Sequence, residues 1–356
     1  MSIPSPFDST IQIGNKILGK GHPTYFIAEI GANFNRSIQK AKDLVLAAKK
    51  AGADCAKFQS FKSEWIVSRK GFEQMNLKGV HGTWGRPVDE VFKDAEFPRE
   101  WHAEVSAYCR EIDIHFSTSP YDFPAVDLCV DLNVPFIKIG SGEITWHEML
   151  NYIAKTGNPL ILATGDSTIA EIDEALRVIE AAGNRQLVLL QCITNYPSKI
   201  ESANIKVLKT YQRAFGVLTG YSDHSPGTVV ALGATALGGV VIEKHFTLDN
   251  KDMGPDHPHS MEAEDFKRMV ESVRELEAAL GSTRKFVVEE ESETVIVQRR
   301  CLYARHDIGE GTVITSEHLI ELRPALGIYP KYKSVVVGRT AKNPISAGMP
   351  IYWSDL

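Results

Sequence analysis

Two short segments each bring a histidine together with a carboxylate: Tyr221-Ser-Asp-His224 and Glu243-Lys-His245. Each closes an apolar run that reads as a strand, 216–221 and 240–245. Neighbouring parallel strands lie ~4.8 Å apart, so imidazoles at their ends can converge on one metal ion. The competing reading of either histidine is a hydrogen-bonded structural residue. The sequence offers no obvious third His or Cys ligand, which disfavours a closed zinc site. An open site completed by water and substrate oxygens suits Mn²⁺ or Mg²⁺. Lys57 and Lys138 close two earlier runs, with Ser119, Ser141 and Ser222 on neighbouring segments. Two ammoniums and several hydroxyls around one mouth describe a pocket for a small dianion such as a phosphate beside a carboxylate. Gly140-Ser-Gly-Glu143 allows close backbone approach to a ligand, although such triplets are also common in turns.

The elements that must position these residues are eight apolar runs: 25–30, 54–59, 114–118, 136–140, 160–165, 187–192, 216–221 and 240–245. Helical patterns separate them. Residues 38–51 place Ala41, Leu44, Val45 and Ala48 on one face, and residues 168–182 do the same with Ile172, Leu176 and Ile179. Nearly continuous apolar strands alternating with helices predict a buried parallel sheet. Eight such units predict a (β/α)8 barrel, an α/β fold whose active site rings the C-terminal strand ends. The rival doubly wound sheet lacks its glycine fingerprint after the first run. Polar residues are expected at all eight strand ends on one rim: Glu29, Lys57/Gln59, Ser117–Ser119, Lys138, Thr164, Gln191, Ser222–His224 and Glu243/His245.

The 356 residues exceed one ordinary domain. A third helix is expected over 263–280, followed by an acidic run at 289–293 that reads as a solvated linker. From Val295 the pattern shifts to short β-type pieces punctuated by Gly and Pro. The expected division is a barrel over 1–285, a linker over 286–294 and a small β-rich domain over 295–356. Lys+Arg of 39 against Asp+Glu of 45 gives a net charge of −6, which does not advertise nucleic acid or an anionic membrane. No apolar run reaches the ~18–20 residues of a membrane span. The start, Met1-Ser-Ile-Pro-Ser-Pro-Phe, lacks the features of a signal peptide. Cys55, Cys109, Cys129, Cys192 and Cys301 are scattered, which points to a reducing, cytoplasmic setting.

The ordered set Ala28-Glu-Ile-Gly-Ala-Asn33, Lys57-Phe-Gln59, Lys138-Ile-Gly-Ser-Gly-Glu143, Tyr221-Ser-Asp-His224, Glu243-Lys-His-Phe246 and Gly254-Pro-Asp256 resembles the sialic acid synthase (N-acetylneuraminate synthase) family. The tail, including Leu322-Arg-Pro324, resembles that family's antifreeze-like SAF domain. The resemblance covers nearly the whole chain. It implies condensation of phosphoenolpyruvate with N-acetylmannosamine or a related N-acylated hexosamine, with phosphate released. Legionaminic or pseudaminic acid synthesis, or use of a 6-phosphorylated sugar, are the close variants. The resemblance implies a divalent metal at His224 and His245, Mn²⁺ first, with Mg²⁺ or Co²⁺ as alternatives. It implies phosphoenolpyruvate at Lys57, Ser119, Lys138, Ser141, Ser222 and Thr164, and the sugar at Gln59, Glu143, Tyr196 and Asp256. It further implies a homodimer in which Arg323 of one SAF domain enters the partner's barrel. The Thr194-Asn195 stretch departs from the family's usual order.

A carboxylate must orient or deprotonate the water that attacks; Glu29 and Glu243 are the candidates, with Lys138 stabilising the departing phosphate. A metal-dependent barrel hydrolase is one rival, but it leaves the lysine pair without a role. A sugar- or ice-binding protein is the other.

Overall fold

The computed structural model describes residues 5–75, 82 and 84–356; the expectation for the first four residues lies outside this range. The chain divides into two compact units between Gly281 and Ser282.

The first unit opens with a hairpin of β1 (Thr10–Ile13) and β2 (Lys16–Gly19), paired antiparallel. The barrel strands follow: β3 (Tyr25–Glu29), β4 (Cys55–Ser60), β5 (His115–Pro120), β6 (Ile137–Ile139), β7 (Leu160–Ala163), β8 (Leu187–Cys192), β9 (Leu218–Asp223) and β10 (Val241–Thr247). Their ladder order is β5-β4-β3-β10-β9-β8-β7-β6, all parallel. Between β5 and β6 the Ser117 hydroxyl donates to the Phe136 carbonyl at 2.8 Å where a ladder would otherwise close the ring. The eight expected strands are all present, with β9 starting later than read. Gly216 instead ends the helix Val207–Phe215 in the left-handed conformation, φ +63°. A glycine is favoured there because it lacks the Cβ that makes this region costly.

Strand residues alternate between two cores. Phe26, Ala28, Ala56, Phe58, Ile137, Ile139, Leu160 and Leu162 pack outward with helix residues such as Leu44, Val45, Ile153 and Ile172. Tyr25, Ile27, Cys55, Phe136, Ile161, Val188, Leu190 and Val241 point inward and pack with Ile11, Ile13 and Leu18 of the hairpin. The hairpin therefore plugs the N-terminal floor of the barrel. Sequence reading missed it, although Thr10-Ile-Gln-Ile-Gly-Asn-Lys-Ile-Leu alternates apolar residues around a Gly-Asn turn.

The helices Ile38–Lys50, Ile169–Ala181 and Ala263–Leu280 match the periodic stretches. Thr168 and Glu171 form a reciprocal capping box at the start of the second. No helix among the described residues is long and apolar enough to cross a membrane.

A two-residue strand, β11 (Met261–Glu262), lies parallel beside β10 in the first unit, and the second unit, Ser282–Leu356, pairs β12 (Cys301–Ala304) antiparallel with β13 (Leu319–Leu322). Leu302, Ile308, Ile314, Leu319, Ile328, Val336, Ile345 and Ile351 form its own core. One expectation is corrected here, the β piece at Val295-Ile-Val. The acidic run opens a helical turn, Glu289–Glu291, and Val295-Ile-Val lies in the helix Ser292–Gln298 instead of a β piece. Carboxylates in a first helical turn are favoured by the exposed N–H groups there, and three β-branched residues alone are too short to set a strand.

Candidate active site

Stepping two residues along a strand returns to the same face. From the inward floor residues this count reaches Glu29 on β3, Lys57 and Gln59 on β4, Lys138 on β6, Ser222 and His224 on and after β9, and Glu243 and His245 on β10. The ladders set Glu29 opposite Lys57, Gln59 opposite Ser119, Ser222 opposite Glu243, and Glu29 opposite His245. The intervening residues face away: Asp223 takes the Lys244 ammonium at 2.7 Å, behind the histidines.

The same parity corrects the expectation of eight polar ends on one rim. Thr164 and Gln191 fall on the outward count. The Thr164 hydroxyl donates to Leu190 O at 2.9 Å and meets Tyr211 Oη at 3.0 Å, and Tyr211 in turn donates to Gln191 Oε1 at 3.1 Å. Thr164 is thus turned to the helix layer.

Four charged groups at the mouth are nearly inaccessible: Glu29 2%, Lys57 2%, Lys138 4% and Glu243 5% exposed. Lys57 pairs directly with Glu29, lies 3.8 Å from Glu243 and donates to Ser119 Oγ at 3.1 Å. Lys138 lies 3.4 Å from Glu243, which also accepts from Ser222 Oγ at 2.9 Å. Gln59 Nε2 donates to Glu29 Oε1 at 2.8 Å. The surroundings shift the two glutamates in opposite directions. Burial raises Glu29 to about 7 against the pull of Lys57. Burial acts on Glu243 too, but Lys138, Lys57 and the Ser222 hydroxyl together hold it below the ordinary carboxylate range. Ser141 stands beside this group, accepting from Gly165 N at 2.9 Å.

Three imidazoles surround Tyr196, whose ring centroid lies 4.2 Å from His224, 5.7 Å from His245 and 5.0 Å from His259. His224 Nδ1 is 2.8 Å from Ile193 O. Burial lowers His224 to about 4 and His245 well below its ordinary value, so both rings are neutral and able to ligate. His245 Nδ1 and His259 Nε2 are buried without hydrogen-bond partners. Orphaned imidazole nitrogens beside a carboxylate are the donor set a divalent ion requires, and the residues fit one. Sequence reading missed His259, which comes from the loop after β10 and not from a strand end. Ligand atoms of His245, Asp256 and His259 lie within 4.8 Å of one another.

Asp256 Oδ2 also accepts from Ala32 N at 2.9 Å. Gly31, at φ +52°, permits this approach, since a side chain there would collide with the carboxylate. Gln59, Tyr196 and Asp256 line a cleft of about 250 Å³ with Phe61, Ile66, Val91 and Phe92. Thr194 and Asn195 are exposed. Arg323 lies in the second unit, exposed and without an ion pair among the described residues, ahead of a cis bond to Pro324.

Glu143 folds back over Gly140, and burial raises its carboxyl to about 7 against Lys138. A carboxyl raised in the folded state contributes stability below its unfolded pKa, which is lost as pH rises through the folded value. Glu143→Gln is therefore expected to melt higher than wild type at pH 8 and to lose most of that advantage by pH 5. The upper bound is about 3 kcal/mol. Parallel melting curves across this range would contradict the assignment.

Residues 44–285 match the NeuB family and residues 299–356 match the SAF domain. The chain is 36% identical to the N,N'-diacetyllegionaminic acid synthase of Legionella pneumophila over 96% of this chain and 97% of that protein. It is 35% identical to the N-acetylneuraminate-9-phosphate synthase of Mus musculus, covering 88% and 87% of the two chains. Among solved structures it is similar to the N-acetylneuraminic acid synthetase of Leptospira borgpetersenii serovar Hardjo-bovis, solved with citrate. There the TM-score is 0.72, with 27% identity over 80% of this chain and 95% of that one. The NeuB match spans more than half of the chain and the SAF match covers its end: the chain belongs to the NeuB family and carries a C-terminal SAF domain.

Proposed function

We propose that the protein is a nonulosonic acid synthase that condenses phosphoenolpyruvate with N-acetylmannosamine or a related N-acylated hexosamine. The observation that carries this reading is the convergence of Lys57 and Lys138 on Glu243 beside a cluster of neutral imidazoles. The lysines, with Ser119, Ser141 and Ser222, hold the phosphate and carboxylate of phosphoenolpyruvate. Gln59, Glu143, Tyr196 and Asp256 hold the open-chain sugar. The apolar wall of Phe61, Ile66, Val91 and Phe92 supports an acceptor bearing an acyl group.

A divalent ion held by His224 and His245, with Mn²⁺ the first candidate, would supply polarisation of the aldehyde oxygen. C3 of phosphoenolpyruvate bonds to the aldehyde carbon, and the new alkoxide takes up the proton that Glu29 holds. Water adds to the electron-poor C2 and gives a proton to Glu29, whose raised pKa suits a group that gains and loses one near neutrality. The C2–O bond to phosphate then breaks as the C2 hydroxyl proton passes to the departing phosphate, leaving the 2-keto acid and inorganic phosphate. Glu243 stays ionised and fixes both lysines; the lysines stabilise the departing phosphate. Five buried free thiols support a reducing, cytoplasmic setting.

Phosphate release from phosphoenolpyruvate is expected only when an N-acylated hexosamine and a divalent metal are both present, with the product identified by mass. An acceptor panel of N-acetylmannosamine, its 6-phosphate and a 2,4-diacetamido-2,4,6-trideoxyhexose tests this. No release with any of them overturns the reading.

The active form is proposed to be a homodimer in which Arg323 reaches the partner's site. Its planar fork suits sugar hydroxyls and acyl oxygens, and its exposure supports such a role. Mixing inactive His224→Ala and Arg323→Ala subunits should restore activity, since one site per mixed dimer keeps both residues. No recovery after verified subunit exchange removes the cross-dimer role.

A further inference from the structure

We propose that His259 is an additional imidazole ligand of the metal centre, acting with His245 and Asp256, so that the ion is held from the loop after β10 as well as from the strand ends. The inference rests on the metal-dependent reading above. The His259 side chain is only 5% exposed, yet its Nε2 has no hydrogen-bond partner, and the same holds for the buried His245 Nδ1. Burying such atoms unpaired is costly, and His245, His259 and Asp256 each offer a ligand atom within 4.8 Å of the others', a set that calls for an occupant able to take lone pairs. A cation meets that description.

The spacing agrees. His259 Nε2 lies 4.0 Å from Asp256 Oδ1, too far for a hydrogen bond. Donors bound ~2.1 Å from a common ion stand roughly 3–4 Å from each other. The His245 and His259 ring centroids are 4.7 Å apart. Asp256 has its other oxygen engaged by Ala32 N at 2.9 Å, which leaves Oδ1 to face the imidazole.

The loop is fixed for this purpose by its neighbours. Ser260 Oγ donates to Asp256 O at 2.6 Å and accepts from Asn33 Nδ2 at 2.9 Å. His257 contrasts with His259: its Nδ1 meets Thr247 Oγ1 at 2.7 Å and its Nε2 meets Asn35 Oδ1 at 3.0 Å, so it is spoken for. An extra nitrogen donor shifts preference toward Co²⁺ and Zn²⁺ relative to Mg²⁺.

The test uses the metal-stripped full chain without substrates. Co²⁺ and Mg²⁺ are titrated calorimetrically into wild type, His259→Ala and His259→Gln, each verified as folded by circular dichroism. Co²⁺ affinity is expected to fall by at least about tenfold in both variants, as loss of an outer partner alone costs ~10–100-fold. Mg²⁺ affinity should fall less. A second measurement needs no variant: the anomalous-difference map of a Co²⁺-soaked wild-type crystal should place the ion within about 2.1 Å of a His259 nitrogen. Unchanged Co²⁺ affinity in folded variants, or an ion bound by His224 and His245 alone, overturns the proposal. Because no substrate is present, an error in the proposed reaction would leave these readouts untouched.

Discussion

Lys57→Met is expected to destabilise the barrel by about 3–5 kcal/mol, the range for removing one partner of a buried ion pair. Its ammonium contacts Glu29 and lies 3.8 Å from Glu243, and without it two buried carboxylates face each other with Lys138 alone to compensate. The deficit should depend on pH in a definite sense. Glu29 is already raised by burial, and losing Lys57 raises it further. A raised carboxyl stabilises the folded state at low pH and loses that contribution as pH rises through its folded value. Urea denaturation should therefore show the largest deficit at pH 8 and a much smaller one at pH 5. In the same variant, calorimetry should show phosphoenolpyruvate binding weakened by about ten- to a hundred-fold, the scale of one charge-assisted hydrogen bond of ~1.5–3 kcal/mol. Sugar binding should change far less. A deficit independent of pH, or equal loss for both substrates, would mean general damage to the barrel mouth.

His245→Ala is expected to abolish metal-dependent turnover and leave the fold in place. Its Nδ1 has no protein partner to lose, whereas His224 gives up the 2.8 Å contact to Ile193 O. The two variants should thus match in lost turnover but differ in stability, with His224→Ala lower by about 1 kcal/mol for the missing hydrogen bond. Phosphate-release assays at saturating Mn²⁺, paired with thermal melts, check both statements. Near-normal turnover in folded His245→Ala would remove this imidazole from the metal centre.

The barrel was legible because each strand is an apolar run buried on both sides, and its helices carry a clean apolar stripe. Lys57, Lys138, Glu243 and His245 were legible for a related reason: a charge at the end of such a run is costly unless paired or used. Thr164 and Gln191 show the limit of that argument. Both end apolar strands, but counting by two from Leu160, Leu162, Leu187 and Leu189 puts them on the helix side. Parity decides which face a polar strand end serves, and position along the strand does not. His259 was hidden for a different reason. Its place depends on the hydrogen bonds from Asn33 to Ser260 and from Ala32 to Asp256, which join segments more than 200 residues apart. No local period records such a bond. The helix Ser292–Gln298 was misread because Val-Ile-Val has a strand composition while the glutamates before it set the helical turn.

The hairpin at residues 10–19 has a consequence for the order in which the molecule assembles. Its Ile11, Ile13 and Leu18 rest on a floor that takes in Ile161, Val188, Leu190 and Val241. During synthesis from the N-terminus, these three side chains emerge early, yet the floor that shelters them is incomplete until β10 has emerged. Contacts of such long sequence separation form late, because the intervening loop must first be closed. A nascent chain therefore carries an exposed apolar ribbon with two open edges until β10 has been made, the kind of surface that chaperones protect and that other nascent chains can pair with.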